Sequence, residues 1–226
     1  FLWQHALNMS VYDDTEPIDL SRVNTYELAS RPSKVTAADL AKPPAEGDSL
    51  ADFFAKLPDV LAVRSMREVA AAIRRARDLG KPIIWGIGGH VIKTGLSPVL
   101  IDLMDRGFVT ALASNGSVLV HDTEMALVGF TSEDVDATLG SGDFGAARET
   151  GELLNSAAKR AAADGIGLGE SMGRELAGLA PANAAISLLC SAYAKRLPFT
   201  AHLTIGADIG HFHASCDGAG LGAASH

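Results

Sequence analysis

Pro82-Ile83-Ile84-Trp85-Gly86-Ile87-Gly88-Gly89-His90-Val91-Ile92-Lys93-Thr94-Gly95, with the residues that follow it to Ala113, decides the fold. Pro82 to Ile87 is a short apolar run bounded by turn residues, which predicts a strand buried on both faces, as parallel strands are. A glycine loop follows it. Ser97 and Pro98 then offer an N-cap and first helical position for a helix through Leu100, Ile101, Leu103 and Met104 that stops at Gly107. Phe108-Val109-Thr110-Ala111-Leu112-Ala113 predicts the second strand. Strand, helix and strand in so few residues make a βαβ unit, whose crossover is almost always right-handed. The expected fold is therefore α/β, a Rossmann-like parallel sheet flanked by helices.

Working outward, Ser65 and Glu68 read as a capping box for a helix closed by Gly80, with Val69, Ala72, Ile73, Ala76 and Leu79 as its apolar face. Before it, residues 1–47 are polar, punctuated by Pro17, Pro32, Pro43 and Pro44, and without sustained periodicity. They predict an extended N-terminal arm that crosses to another subunit, and hence a homo-oligomer, a dimer or a tetramer. Residues 48–226 are expected to form the α/β domain and to continue beyond His226. Downstream, Thr131 or Ser132 caps a short helix, and Asp143 starts a longer one that Gly165 ends. Gly165 to Gly169 reads as a flexible connection, Pro181 opens a helix through Tyr193, and Phe199 to Ile205 reads as a further strand.

Composition narrows the function classes. The chain has 226 residues, 47% of them hydrophobic and 20% charged, with a formal net charge of -8. That describes an acidic globular protein and argues against a nucleic-acid partner. No stretch approaches the roughly 18 to 20 apolar residues that span a bilayer, and the start lacks a basic leader, so no membrane association and a cytoplasmic location are expected. Cys190 and Cys216 are too few for a disulfide framework and read as free thiols.

Three constellations carry chemistry. In the loop Gly86 to Gly95, Gly88, Gly89, His90 and Lys93 stand between strand and helix, where bare backbone N–H groups favour an anion such as phosphate. The alternative reading is a tight turn whose glycines let chains pack closely. The second constellation, Ser114-Asn115-Gly116 followed by His121, Asp122 and Glu124, belongs at the same sheet edge. His121 and Asp122 are candidates for acid and base work there, and a solvated helix start is the other reading. In the third, His211-Phe212-His213-Ala214-Ser215-Cys216-Asp217, alternate residues of an extended segment put His211 and His213 on one side. With Asp217 they are competent ligands for a divalent transition metal, and hydrogen-bonded loop histidines are the plain alternative. Asp208 and Asp217 are alternatively placed to meet a cationic substrate.

Gly89-His90-Val91-Ile92-Lys93-Thr94-Gly95, with Ile101, Leu103, Gly107, Val109, Leu112 and Asp122 after it, resembles the first nucleotide-site segment of deoxyhypusine synthase. Asp217-Gly218 with Leu221-Gly222 resembles that enzyme's substrate loop. More broadly, Ile18 to Val23, Gly95 to Pro98 and Thr131 to Val135 resemble a group of bacterial deoxyhypusine synthase-like proteins. The resemblance implies NAD held by Gly89, His90, Lys93, Asn115 and Gly116, and a small amine at Asp217, with His121 or His213 handling protons. Three functions follow as expectations: an NAD-binding enzyme acting on a small-molecule amine, a metal-dependent hydrolase using His211, His213 and Asp217, or a non-catalytic nucleotide- or metabolite-binding protein.

Overall fold

The computed structural model describes residues 15–138, 140 and 142–225. The first fourteen residues of the expected arm lie outside them. The chain divides into two compact units, Phe1–Ser65 and Met66–His226.

The described part of the first unit is mostly exposed backbone with three short 3-10 turns, Leu20–Arg22, Leu28–Ser30 and Ala37–Asp39. Helix α1 (Leu50–Lys56) follows, its start closed by a capping box in which Ser49 and Asp52 satisfy each other's backbone N–H groups. Lys56 pairs with Asp48 at 2.6 Å. The unit boundary falls inside helix α2 (Leu61–Asp78), which begins four residues ahead of the expected Ser65 cap and buries none of its side chains.

The second unit is an α/β fold whose three parallel strands run in the order β1-β2-β3: β1 (Ile84–Gly86), β2 (Ala111–Asn115) and β3 (Phe199–His202). The α/β expectation holds, and the strands are shorter than the sequence suggests. β1 is an edge strand. Ile84 is therefore 66% exposed, which corrects the reading of this run as covered on both faces. After β1 come α3 (His90–Lys93) and α4 (Ser97–Asp105). β2 runs directly into α5 (Gly116–Val128), which ends where Gly129 takes up the left-handed conformation.

The rest is helical: α6 (Val135–Thr138), α7 (Arg148–Asp164), α8 (Leu168–Gly178), α9 (Leu188–Lys195) and α10 (Gly218–Ser225). α8 was not expected. The glycines at 165, 167 and 169 read as a loop, yet Gly169 belongs to the helix because a Cβ there would lie 2.0 Å from the Phe199 carbonyl oxygen of β3. Helix and strand backbones meet at that point. Likewise α7 starts at Arg148, not Asp143, and α9 starts behind Ser187, whose hydroxyl accepts from the Cys190 N–H, not at Pro181.

The core gathers Leu112 of β2, Leu119 of α5, Leu168, Met172 and Leu176 of α8, Leu188 and Leu189 of α9, and Leu221 of α10, all fully buried. Each such side chain contributes roughly 1.5–3 kcal/mol by leaving water. α5 lies at the centre because its buried positions, Val118, Leu119, Asp122, Thr123 and Ala126, repeat at helical spacing. Its other side, with Ser117, Val120, His121 and Glu124, is left for the site. None of the described helices is long and apolar enough to cross a membrane.

Candidate functional site

The segments that follow all three strands meet in one cavity of about 380 Å3, at the carboxyl ends of the strands. That is where open parallel sheets bind ligands. Lys93 comes from the segment after β1, Ser117, His121 and Glu124 from α5, Glu133 and Thr150 from the chain beyond it, and Asp208 from the segment after β3. A second hollow of about 720 Å3 continues past Glu124 and Thr150 to the apolar side chains of Leu127, Val128 and Phe130.

Glu124 is the best-supported polar group of this crevice. One carboxylate oxygen accepts the Thr131 hydroxyl, the other accepts the Thr150 hydroxyl at 3.3 Å, and His121 Nδ1 stands 3.8 Å away. Burial raises its carboxyl's affinity for protons, but the nearby His121 ring and the Thr131 hydroxyl outweigh that and hold its pKa below the usual carboxylate range. His121 Nδ1 in turn lies 2.7 Å from Thr131 Oγ1. The side chains of His121 and Glu124 are 14% and 22% exposed, so both reach the cavity while most of their surface is covered.

The expected site residues are brought together only in part. His121, Lys93 and Asp208 line the cavity. Asp122 does not: it is fully buried, and it accepts Ser187 Oγ at 2.6 Å, Leu188 N at 2.8 Å and Leu189 N at 3.0 Å. Its carboxylate anchors the start of α9, with burial pushing its pKa up against these bonds. As a catalytic residue it is corrected to a structural one. Gly89 is covered, for a Cβ there would meet Ser117 Oγ at 2.6 Å and His121 Cδ2 at 2.8 Å; its loop position serves close packing against α5. Gly88 is open, with the nearest atom 3.9 Å from where a Cβ would stand, and nothing lies within 4 Å of that point at Gly86. His90 is exposed on α3. Asn115 ends β2 with its side-chain oxygen accepting from Ser117 Oγ at 2.9 Å. Gly116 opens α5 beneath the Asp208 carboxylate, whose Oδ1 would be 2.5 Å from a Cβ. A carboxylate thus already occupies the positive end of that helix.

The third constellation separates. Residues 209–212 form a 3-10 turn, not a strand, so His211 and His213 do not share a face. His211 Nε2 accepts from the Gly206 N–H at 3.1 Å. His213 Nδ1 bonds Ser215 Oγ at 2.7 Å, and its ring packs where a Cβ of Gly151 would stand. Asp217 accepts from the Ala219 and Gly220 N–H groups, both at 3.1 Å, and so closes the start of α10. Among the described residues no three His, Cys, Asp or Glu side chains are grouped to hold a metal ion. The metal-hydrolase reading of His211, His213 and Asp217 is corrected on that ground, and His213 and Asp217 have local structural partners instead of a place in the cavity.

Sequence reasoning missed the bracing of Glu124 by Thr131 and Thr150, and Glu133 on the cavity wall. A Thr seven residues ahead and another twenty-six ahead give no periodic signal.

Residues 67–153 match a family model described as the C-terminal Rossmann fold of arginine dihydrolase ArgZ-like proteins. The chain is 35% identical over 91 residues to the bifunctional arginine dihydrolase/ornithine cyclodeaminase ArgZ of Synechocystis sp., and 33% identical over 91 residues to AgrE of Nostoc sp., which bears the same functional description. Each alignment covers 40% of this chain and 13% of the relative, so the chain matches a small fraction of those proteins' length. The solved apo structure of a cyanobacterial ArgZ, an arginine dihydrolase, aligns over 65% of this chain and 19% of its own, with 21% identity and a TM-score of 0.41. The family-model match and the two sequence relatives overturn the resemblance to deoxyhypusine synthase-like proteins and the NAD-binding transferase reading that went with it. What the matched segment shares with this chain's own architecture is a Rossmann-fold region, running from α2 into α7, that is similar to the C-terminal part of ArgZ-like enzymes.

Proposed function

We propose that this chain is the Rossmann part of an ornithine-handling enzyme of the ArgZ-like kind, and that its crevice binds a small amino acid with a cationic side chain. The observation that carries the reading is the placement of Glu124. Its braced, ionised carboxylate faces a cavity whose lining, apart from Ala207, Asp208 and Ile209, falls within the segment similar to those enzymes. Glu133 and Asp208 add negative charge, and Lys93 offers one positive group for a ligand carboxylate. Of the two activities in the relatives' description, ornithine cyclodeamination suits this lining better. Its chemistry begins with an ammonium that must lose a proton before nitrogen can attack carbon, and the cavity presents carboxylates and an imidazole for that task. Hydrolysis of a guanidine through a thiol nucleophile has no support here, since Cys190 is a buried residue of α9 and neither cysteine lines the crevice.

A nicotinamide dinucleotide is a separate proposal for the loop after β1. The open backbone at Gly86 and Gly88 and the exposed Lys93 fit its phosphates, whereas the start of α5 does not, because Asp208 sits there. When bound, the cofactor would accept and return a hydride. A fluorescence titration with NADH, repeated on Gly88→Asp, tests it: saturable binding lost in the variant supports the site, and equal signals exclude it.

The ligand reading is tested by calorimetric titration of the chain with L-ornithine and with L-norvaline, which lacks the side-chain amine. Saturable binding of L-ornithine alone, lost in Glu124→Gln, is expected. Equal affinity for both amino acids would contradict the role given to the carboxylates.

A further inference from the structure

We infer that His121 is the proton-accepting base of the crevice, and that Thr131 and Glu124 hold it in the tautomer whose Nε2 is bare. Thr131 Oγ1 carries a single proton, and that proton is donated to Glu124 Oε2. Towards His121 Nδ1, 2.7 Å away, the same oxygen can therefore only accept. Nδ1 must carry the hydrogen, and in the neutral ring this leaves Nε2 as a free lone pair.

The ring is held in place from the other side as well. Cδ2, the carbon bonded to Nε2, faces the Gly89 backbone at 2.8 Å from an ideal Cβ. That ring edge packs beside the loop after β1, and the His121 side chain, 14% exposed, is part of the cavity lining. On the far side, Glu124 is fixed by the Thr150 hydroxyl at 3.3 Å as well as by Thr131, so the relay is held from α5, from residue 131 and from α7. A base oriented by a second group that is itself oriented by a third is the arrangement that nucleophile- and proton-activating sites share.

The step balances without a further reactant. An N–H bond of the ligand's ammonium breaks, its electron pair stays on the nitrogen, and the proton forms a bond to Nε2. The imidazolium keeps its Nδ1–H on Thr131 and faces the Glu124 carboxylate, 3.8 Å from Nδ1. Glu124 and Thr131 are positioning residues in this account, and His121 is the group that touches the ligand. The identity of the proton donor rests on the proposed function; the tautomer does not.

The test reads the tautomer directly. Long-range proton–nitrogen NMR of the uniformly 15N-labelled chain, recorded where the ring signals are those of the neutral imidazole, reports the state of each ring nitrogen. His121→Asn assigns the signal. The expected result is a protonated Nδ1 and a bare Nε2 in the wild type, a shift towards the other tautomer in Thr131→Val, and restoration in Thr131→Ser. Glu124→Gln, which lets the Thr131 hydroxyl turn either way, is expected to give a mixture. A protonated Nε2 in the wild type overturns the inference, as does an unchanged signal in both Thr131→Val and Glu124→Gln. If L-ornithine fails to bind while Nε2 is bare, the ligand reading falls and the relay stands; if it binds while Nε2 is protonated, the reverse holds.

Discussion

Asp122 and Glu124 stand two residues apart on α5, about 200° around the helix, and the two sides of this helix have opposite duties. Asp122 faces the core, reads three donors from Ser187, Leu188 and Leu189, and joins α5 to α9. Glu124 faces the cavity and reads two hydroxyls, leaving lone pairs for a ligand. Burial pushes the first carboxyl's pKa up, while hydrogen bonds bring the second one's down despite its own burial. Two carboxylates of one helix thus differ in role because of where the neighbouring chain places its donors, not because of their own chemistry.

Asp122→Ala should separate the two carboxylates most strongly. It leaves two backbone N–H groups and a hydroxyl without partners in the core, so stability should fall by about 3–5 kcal/mol. Denaturant unfolding measures it, and a loss below about 1 kcal/mol would remove Asp122 from its structural role. Next in size is the pair of loop glycines. Gly89→Ala forces its Cβ against Ser117 and His121 and should cost about 1–3 kcal/mol, whereas Gly88→Ala meets open space and should stay within about 0.5 kcal/mol. Equal effects would show that the loop packs differently.

Smaller still is Glu124→Gln, which should change stability by about 1 kcal/mol at neutral pH while removing L-ornithine binding. Its pH dependence sharpens the contrast. A lowered carboxyl contributes stability that is present above its unfolded value near 4.5 and is lost as pH falls through the lower folded value. The gap between wild type and Glu124→Gln should therefore narrow from pH 7 towards about pH 3. A raised carboxyl behaves oppositely: its contribution is full below 3.8 and declines as pH rises through the folded value. The gap between wild type and Asp122→Ala should widen over the same descent, and thermal melts of the three proteins at several pH values would show either pattern.

Much of the fold was legible because it is local. The β1 run, the glycine loop, the α4 periodicity and the β2 run are contiguous, and together they require a βαβ unit and a ligand site at the strand ends. Asp122 was legible too, since Val118, Leu119, Asp122, Thr123 and Ala126 form one buried stripe at helical spacing; reading His121 and Asp122 as a unit by adjacency ignored that neighbours on a helix point about 100° apart. α8 was not legible, because its glycines mimic a loop and their reason is the backbone of β3, some thirty residues ahead. The Glu124 relay was hidden for the same cause: Thr131 and Thr150 reach it through tertiary packing alone.

A rival location also exists. A hollow of about 750 Å3 between Gly167, Glu170, Tyr193, Arg196 and Thr200 borders the opposite end of the sheet, where β3 begins. Chemical-shift mapping of the 15N-labelled chain with L-ornithine distinguishes the two most directly. The account predicts that shifts concentrate at Ser117 to Glu124, Thr131 to Glu133 and Ala207 to Ile209; shifts centred on Gly167, Arg196 and Thr200 would contradict it.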